Sequence, residues 1–131
     1  MDFEAIKTVS IFGAGTMGHG IAQVMALQGY KVFIRDIKQE FLDAGLSGMK
    51  KGLQKAVEKE KISEEQSKEA LSAVTLTLDI ESAARAADLV IEAVPEKLEM
   101  KKELLNVVSR KQGLQNNLKI FPGLMSIIKK L

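Results

Sequence analysis

The sequence predicts an α/β protein: a doubly wound, mainly parallel sheet with a long helical insertion after the second strand. Three observations predict it. Short β-rich segments alternate with helical patterns. The first of these segments runs directly into glycines spaced G-x-G-x-x-G at Gly13, Gly15 and Gly18. The segment Leu89–Val94 (LVIEAV) is apolar almost throughout, as a strand covered on both faces is.

Each element follows from local chemistry. Lys7–Phe12 (KTVSIF) is β-branched and aromatic and stops at glycine, so it reads as a strand. Thr16–Gln28 carries Met17, Ile21, Val24, Met25 and Leu27 at helical spacing and ends at Gly29. Lys31–Arg35 (KVFIR) is the second strand, and the three together form a βαβ unit with parallel strands. From Lys38 to Glu60, Leu42, Leu46, Met49, Leu53 and Ala56 or Val57 draw one apolar stripe. Gly45, Gly48 and Gly52 draw a second, although each glycine costs a helix about 1 kcal/mol against alanine. Either packing holds the helix despite them, or another backbone or a ligand approaches that face closely.

Ser63 to Gln66 is a capping-box pattern that starts a helix running to about Ser72. Val74–Leu78 (VTLTL) is a third strand, and Asp79 N-caps a short helix through Ala87. Leu89–Val94 is the fourth strand, ended by Pro95, and Lys97–Arg110 reads as a helix. These elements place one domain over 1–110 and a divergent tail over 111–131. Within the tail, Leu118–Phe121 has the character of a short strand. Leu124, Ile127, Ile128 and Leu131 form a two-turn amphipathic segment.

Composition removes other classes. The chain has 131 residues, a formal net charge of +2 and 46% hydrophobic residues, as expected of one globular domain. No apolar run approaches the ~20 residues of a membrane-spanning helix. The start MDFEAIK does not read as a targeting peptide. With no cysteine and one histidine, His19, neither a disulfide framework nor a His/Cys metal site is expected, and the lack of cysteine fits a cytoplasmic setting. The small net charge, and four lysines in the tail, give only a weak footprint for nucleic acid.

The glycine motif is specific because of where it stands, between a strand and a helix in a βαβ unit. Gly13 allows the turn out of the strand. Gly15, without a Cβ, lets a diphosphate approach the backbone, and Gly18 lets helix and strand pack closely. The amides opening the helix at Thr16 and Met17 suit an anion, with a dipole contribution of up to ~2 kcal/mol. Asp36 ends the second strand eighteen residues after Gly18, where a Rossmann-type fold places an acid on a ribose diol. A 2′-phosphate would meet that carboxylate as a like charge, so NAD is expected over NADP, although Arg35 stands beside it and an arginine can serve a phosphate. His19, on the first turn of the helix, reads as a cofactor-flanking residue rather than a base. Lys50, Lys51, Lys55, Lys59 and Lys61 read either as a solvated face or as a site for a phosphate-rich substrate.

The segments GAGTMGHGIAQVMALQGYKVFIRD and ADLVIEAVPEKLEMKKELL, with the long helix between them, resemble the N-terminal domain of L-3-hydroxyacyl-CoA dehydrogenases, including 3-hydroxybutyryl-CoA dehydrogenases. The likeness runs from about Ile6 to Arg110. It implies NAD as cofactor and oxidation of a 3-hydroxyacyl-CoA to a 3-ketoacyl-CoA in fatty-acid metabolism. It assigns cofactor roles to Gly13, Gly15, Thr16, Met17, Gly18 and Asp36, and adds Glu96 and Lys101. It places Lys59 near the CoA phosphates, although Gly52 stands where the family often has serine.

After Arg110 the likeness ends. The Ser-Asn-Thr-Ser motif that the family carries next is absent here, and the resemblance implies that the family's catalytic His–Glu pair and helical dimerisation domain would come later than residue 131. The expectation is therefore a truncated, NAD-binding portion of the enzyme with no catalytic residue of its own. An acyl-CoA would be a substrate only with a catalytic half supplied. A sheet edge or the tail would invite a second copy or a partner subunit. The alternatives are a non-catalytic NAD-binding interaction module and a dehydrogenase of another small hydroxy acid. Neither nucleic acid nor membrane is an expected partner.

Overall fold

A computed structural model of the chain describes residues 6–93 and the backbone of Lys119–Phe121. The elements are β1 (Thr8–Phe12), α1 (Thr16–Leu27), β2 (Lys31–Arg35), α2 (Gln39–Glu58), α3 (Glu64–Ser72), β3 (Val74–Thr77), α4 (Ile80–Ala86), β4 (Leu89–Glu92) and β5 (Lys119–Phe121). The strands form one five-stranded sheet in the order β3-β2-β1-β4-β5. Every pairing is parallel. The expected helix at Lys97–Arg110 and the amphipathic segment Leu124–Leu131 lie outside the described residues.

The alternation of side chains along each strand divides the core in two. Val9, Ile11, Val32, Ile34, Leu89 and Ile91 share one cluster with Ala22 and Ala26 of α1, Leu42, Met49 and Leu53 of α2 and Ala70 of α3. Phe12 and Val90 face the other way, onto Ala83 and Ala84 of α4 and onto Ala87. Ser10, also on that face, is fully buried, and its hydroxyl donates to the Ala83 carbonyl at 2.6 Å. That carbonyl lies in the last turn of α4, where intrahelical partners run out. At the opposite edge of β1, Asp88 Oδ2 accepts from the Lys7 and Thr8 amides, both at 3.0 Å.

Caps set the helix boundaries. Ser63 and Gln66 make both halves of the capping box, at 3.1 and 2.8 Å. Asp79 Oδ1 accepts from the Glu81 amide at 3.1 Å. Two C-termini close with the same pair of backbone bonds. In α1, Gly29 N donates to Ala26 O at 3.1 Å and Tyr30 N to Met25 O at 3.2 Å. In α2, Glu60 N donates to Val57 O at 3.0 Å and Lys61 N to Ala56 O at 2.9 Å. This is the Schellman arrangement, whose turning residue is left-handed. Gly29 takes φ +95° without strain, but Glu60 takes φ +59° with a side chain. The expected helix through Glu60 thus stops at Glu58. Glu60→Gly is expected to stabilise the fold by about 1 kcal/mol, read as a higher urea midpoint at an unchanged slope.

Candidate functional site

The order of the sheet puts β1 and β4 side by side where the chain changes direction across it, and ligands of such sheets bind outside the carboxyl ends of those strands. The turn from Gly13 to Gly18 stands at that edge. Gly13 N donates to the Arg35 carbonyl, and Ala93 N to the Phe12 carbonyl, both at 2.8 Å, so β1 is held from both sides as it ends. Gly13 then adopts φ +117°, a conformation that side chains rarely allow.

Gly15 is the N-cap of α1, with extended backbone and no side-chain cap bond, and the first turn contains no acidic residue. The other helix starts differ. Side chains cap α3 and α4, and acidic residues stand in the first turns of α2, α3 and α4. The α1 N-terminus therefore keeps amide donors for an anion. Thr16 is exposed there and Met17 is half-buried.

The glycines differ in what surrounds them. A Cβ on Gly15 would meet nothing within 4 Å, whereas one on Gly18 would overlap the Gly13 carbonyl oxygen. Gly15 thus leaves room outside the turn, and Gly18 makes room within it. The close packing expected at Gly18 is what its surroundings show.

Asp36 is half-buried at the end of β2. Its Oδ2 accepts from the Ala14 amide at 2.8 Å and its Oδ1 from the Ile37 amide at 2.7 Å. A carboxylate offers about four acceptor positions, so both oxygens keep capacity for a diol. The bond to Ala14 was not legible beforehand, because it joins residues 22 apart across two strands. Arg35 Nε donates to the Leu78 carbonyl at 3.2 Å, which commits one face of the guanidinium to the turn after β3.

The glycine stripe of α2 is the face on which the cofactor helix packs. Added Cβ atoms would come 2.7 Å from the Ala14 carbonyl oxygen at Gly45, 2.5 Å from His19 Nε2 at Gly48, and into the Gln23 amide at Gly52. Close approach is observed along the stripe: at Gly45 the neighbour is the backbone of the glycine turn, and at Gly48 and Gly52 it is the His19 and Gln23 side chains of α1. His19 Nδ1 lies 3.3 Å from the Ala14 carbonyl oxygen.

Other candidates stand apart. Lys59 is the exposed C-cap of α2, fourteen residues beyond Gly45 and so about 20 Å along the helix from the turn. Lys50, Lys51, Lys55 and Lys61 are also exposed. Glu96 and Lys101 lie outside the described residues. Among the described residues there is no cluster of three metal-ligating side chains, and no helix is long and apolar enough to cross a membrane.

The family described as "3-hydroxyacyl-CoA dehydrogenase, NAD binding domain" matches residues 8–113. The chain belongs to this family. NAD is the cofactor of this domain by its family, and the turn, the uncapped helix and the carboxylate just described fit that group. Its relatives include the 3-hydroxyadipyl-CoA dehydrogenase of Escherichia coli K12, 41% identical over 99 residues, which cover 76% of this chain and 21% of that protein. A probable 3-hydroxybutyryl-CoA dehydrogenase of Bacillus subtilis is 37% identical over 105 residues, or 80% of this chain and 36% of that one. The crystal structure of (S)-3-hydroxybutyryl-CoA dehydrogenase from Ralstonia eutropha matches with a TM-score of 0.75 and 32% identity, covering 87% of this chain and 38% of the other. The chain thus spans between about a fifth and two-fifths of the length of these proteins. Other relatives are glyoxysomal and peroxisomal multifunctional proteins of fatty-acid β-oxidation.

Proposed function

We infer that this chain supplies the NAD-binding portion of an enzyme that oxidises 3-hydroxyacyl-CoA to 3-ketoacyl-CoA, with Gly13, Gly15, Thr16, Met17 and Gly18 seating the diphosphate and Asp36 the adenosine ribose. One observation carries the reading. The Cβ direction of Gly15 is open, immediately before an uncapped helix, and Asp36 is bonded to the residue beside it. Glu96 and Lys101 are assigned to the same cofactor by the family pattern. Lys59, at the far end of α2, is assigned to the CoA phosphates. In this reading the acyl-CoA reacts only where a catalytic half is present, and that half is met through the sheet edge or the tail, as a second copy or a partner subunit. A cytoplasmic setting remains part of the proposal.

Held by these residues, NAD would supply the acceptor for the hydride of the hydroxyl-bearing carbon. The described residues bind and orient it. The α1 amides offset diphosphate charge, and Asp36 accepts from the ribose hydroxyls while repelling a 2′-phosphate. At 4 Å and an effective dielectric of 20 that repulsion is about 4 kcal/mol, an upper figure for a hydrated edge.

Titration of the full chain with NADH and NADPH, followed by nicotinamide fluorescence, tests the reading. NADH is expected to bind at least about tenfold more tightly. Asp36→Asn keeps an acceptor for the Ala14 amide but removes the charge, and is expected to narrow that ratio. No binding of NADH by the folded chain would sink the assignment, and equal binding of the two cofactors would sink the role of Asp36.

A further inference from the structure

We propose that His19 is a positioning residue for the diphosphate seat: its ring holds the Ala14–Gly15 peptide so that the Gly15 amide is turned outward. This rests on the reading of Gly13–Gly18 as that seat.

Ala14, the residue between the first two glycines of the motif, is held from three sides. Its amide donates to Asp36 Oδ2 at 2.8 Å. Its carbonyl oxygen lies 3.3 Å from His19 Nδ1. Its Cβ packs toward α2 at Gly45, where an added Cβ would come within 3.0 Å of it. A carbonyl oxygen only accepts, so Nδ1 carries the proton in this contact. In a trans peptide the C=O and the following N–H point in opposite directions. Holding the Ala14 carbonyl toward the His19 ring therefore directs the Gly15 N–H away from it. The same bond polarises the peptide and strengthens donation by that N–H.

The ring in turn depends on α2. A Cβ on Gly48 would come 2.5 Å from Nε2 and 2.8 Å from Cε1, so a side chain there displaces the imidazole. Gly48 thereby contributes to the cofactor seat from a different helix, without facing the ligand.

The test uses the full chain and its variants His19→Ala, His19→Asn, His19→Gln and Gly48→Ala. NADH affinity is measured by fluorescence, ADP-ribose and adenosine by displacement of NADH, and thermal stability in parallel. His19→Ala and Gly48→Ala are expected to weaken NADH and ADP-ribose by about three- to tenfold and to leave adenosine, which lacks the diphosphate, unchanged. Asparagine places an amide nitrogen near the position of Nδ1 and is expected to restore most of the affinity. Glutamine reaches instead toward Nε2 and is expected not to. A purely structural role for His19 would show in melting temperature and would not separate asparagine from glutamine. Wild-type affinity in His19→Ala, or equal losses for ADP-ribose and adenosine, overturns the proposal while leaving the seat in place. Failure of the unaltered chain to bind NADH removes the seat, and the role of His19 with it.

Discussion

Gly18→Ala is expected to cost about 3 kcal/mol or more of stability and to abolish NADH binding with it. The added methyl group would stand inside the contact distance of the Gly13 carbonyl oxygen and 3.5 Å from the Ala93 Cβ. The principal obstacle is backbone, not the end of a flexible side chain, so no rotamer change relieves it. Either α1 moves off the sheet or the turn reopens. Overpacking of a well-filled site typically costs 1–3 kcal/mol, and a backbone neighbour puts this case at about the upper end. For a domain of this size that is roughly 10 °C or more in melting temperature. Gly13 cannot yield easily, because its amide is tied to Arg35 and its φ of +117° is part of the turn. The same measurement therefore reads both fold and seat. A Gly18→Ala chain with unchanged melting temperature and NADH affinity would contradict the packing described here.

The same methyl group at Gly15 is expected to leave stability nearly unchanged and to do the same to binding. Gly15 has φ −62° and ψ −175°, which any residue adopts, and its Cβ would meet nothing within 4 Å. Replacing glycine restricts the unfolded chain, worth about 0.4–1 kcal/mol, but alanine caps a helix less well than glycine by a similar amount, so the two offset. The open space it fills is where a diphosphate would lie against the backbone, so NADH affinity is expected to fall by at least about tenfold, or ~1.4 kcal/mol. Gly15→Ala that melts close to the unaltered chain and no longer binds NADH would separate the seat from the fold. Retained affinity would place the diphosphate elsewhere. Together the two variants show whether the glycines of one motif serve two different ends.

What was legible in the residues was local. The span of β2, the capping box at Ser63, the N-cap at Asp79 and the glycine turn into α1 each depend on interactions a few residues apart, and each stands where its chemistry placed it. The fully buried fourth strand announced itself by an apolar run interrupted only at Glu92. Membership of the dehydrogenase family was legible for the same reason: its turn and its fourth strand are contiguous segments.

Tertiary structure alone decided the rest. Apolar periodicity carried α2 to Glu60, but the closing pair of backbone bonds made Glu60 the left-handed residue and ended the helix at Glu58. The stripe of Gly45, Gly48 and Gly52 could be counted in the sequence, yet what approaches it could not. Ala14 looked like a spacer between glycines and proved to be the residue on which β2, α1 and α2 converge. Its partners Asp36, His19 and Gly45 stand 22, 5 and 31 residues away. Only packing the helices on the sheet sets those distances, because a backbone amide or carbonyl carries no mark in the sequence of the partner it will meet.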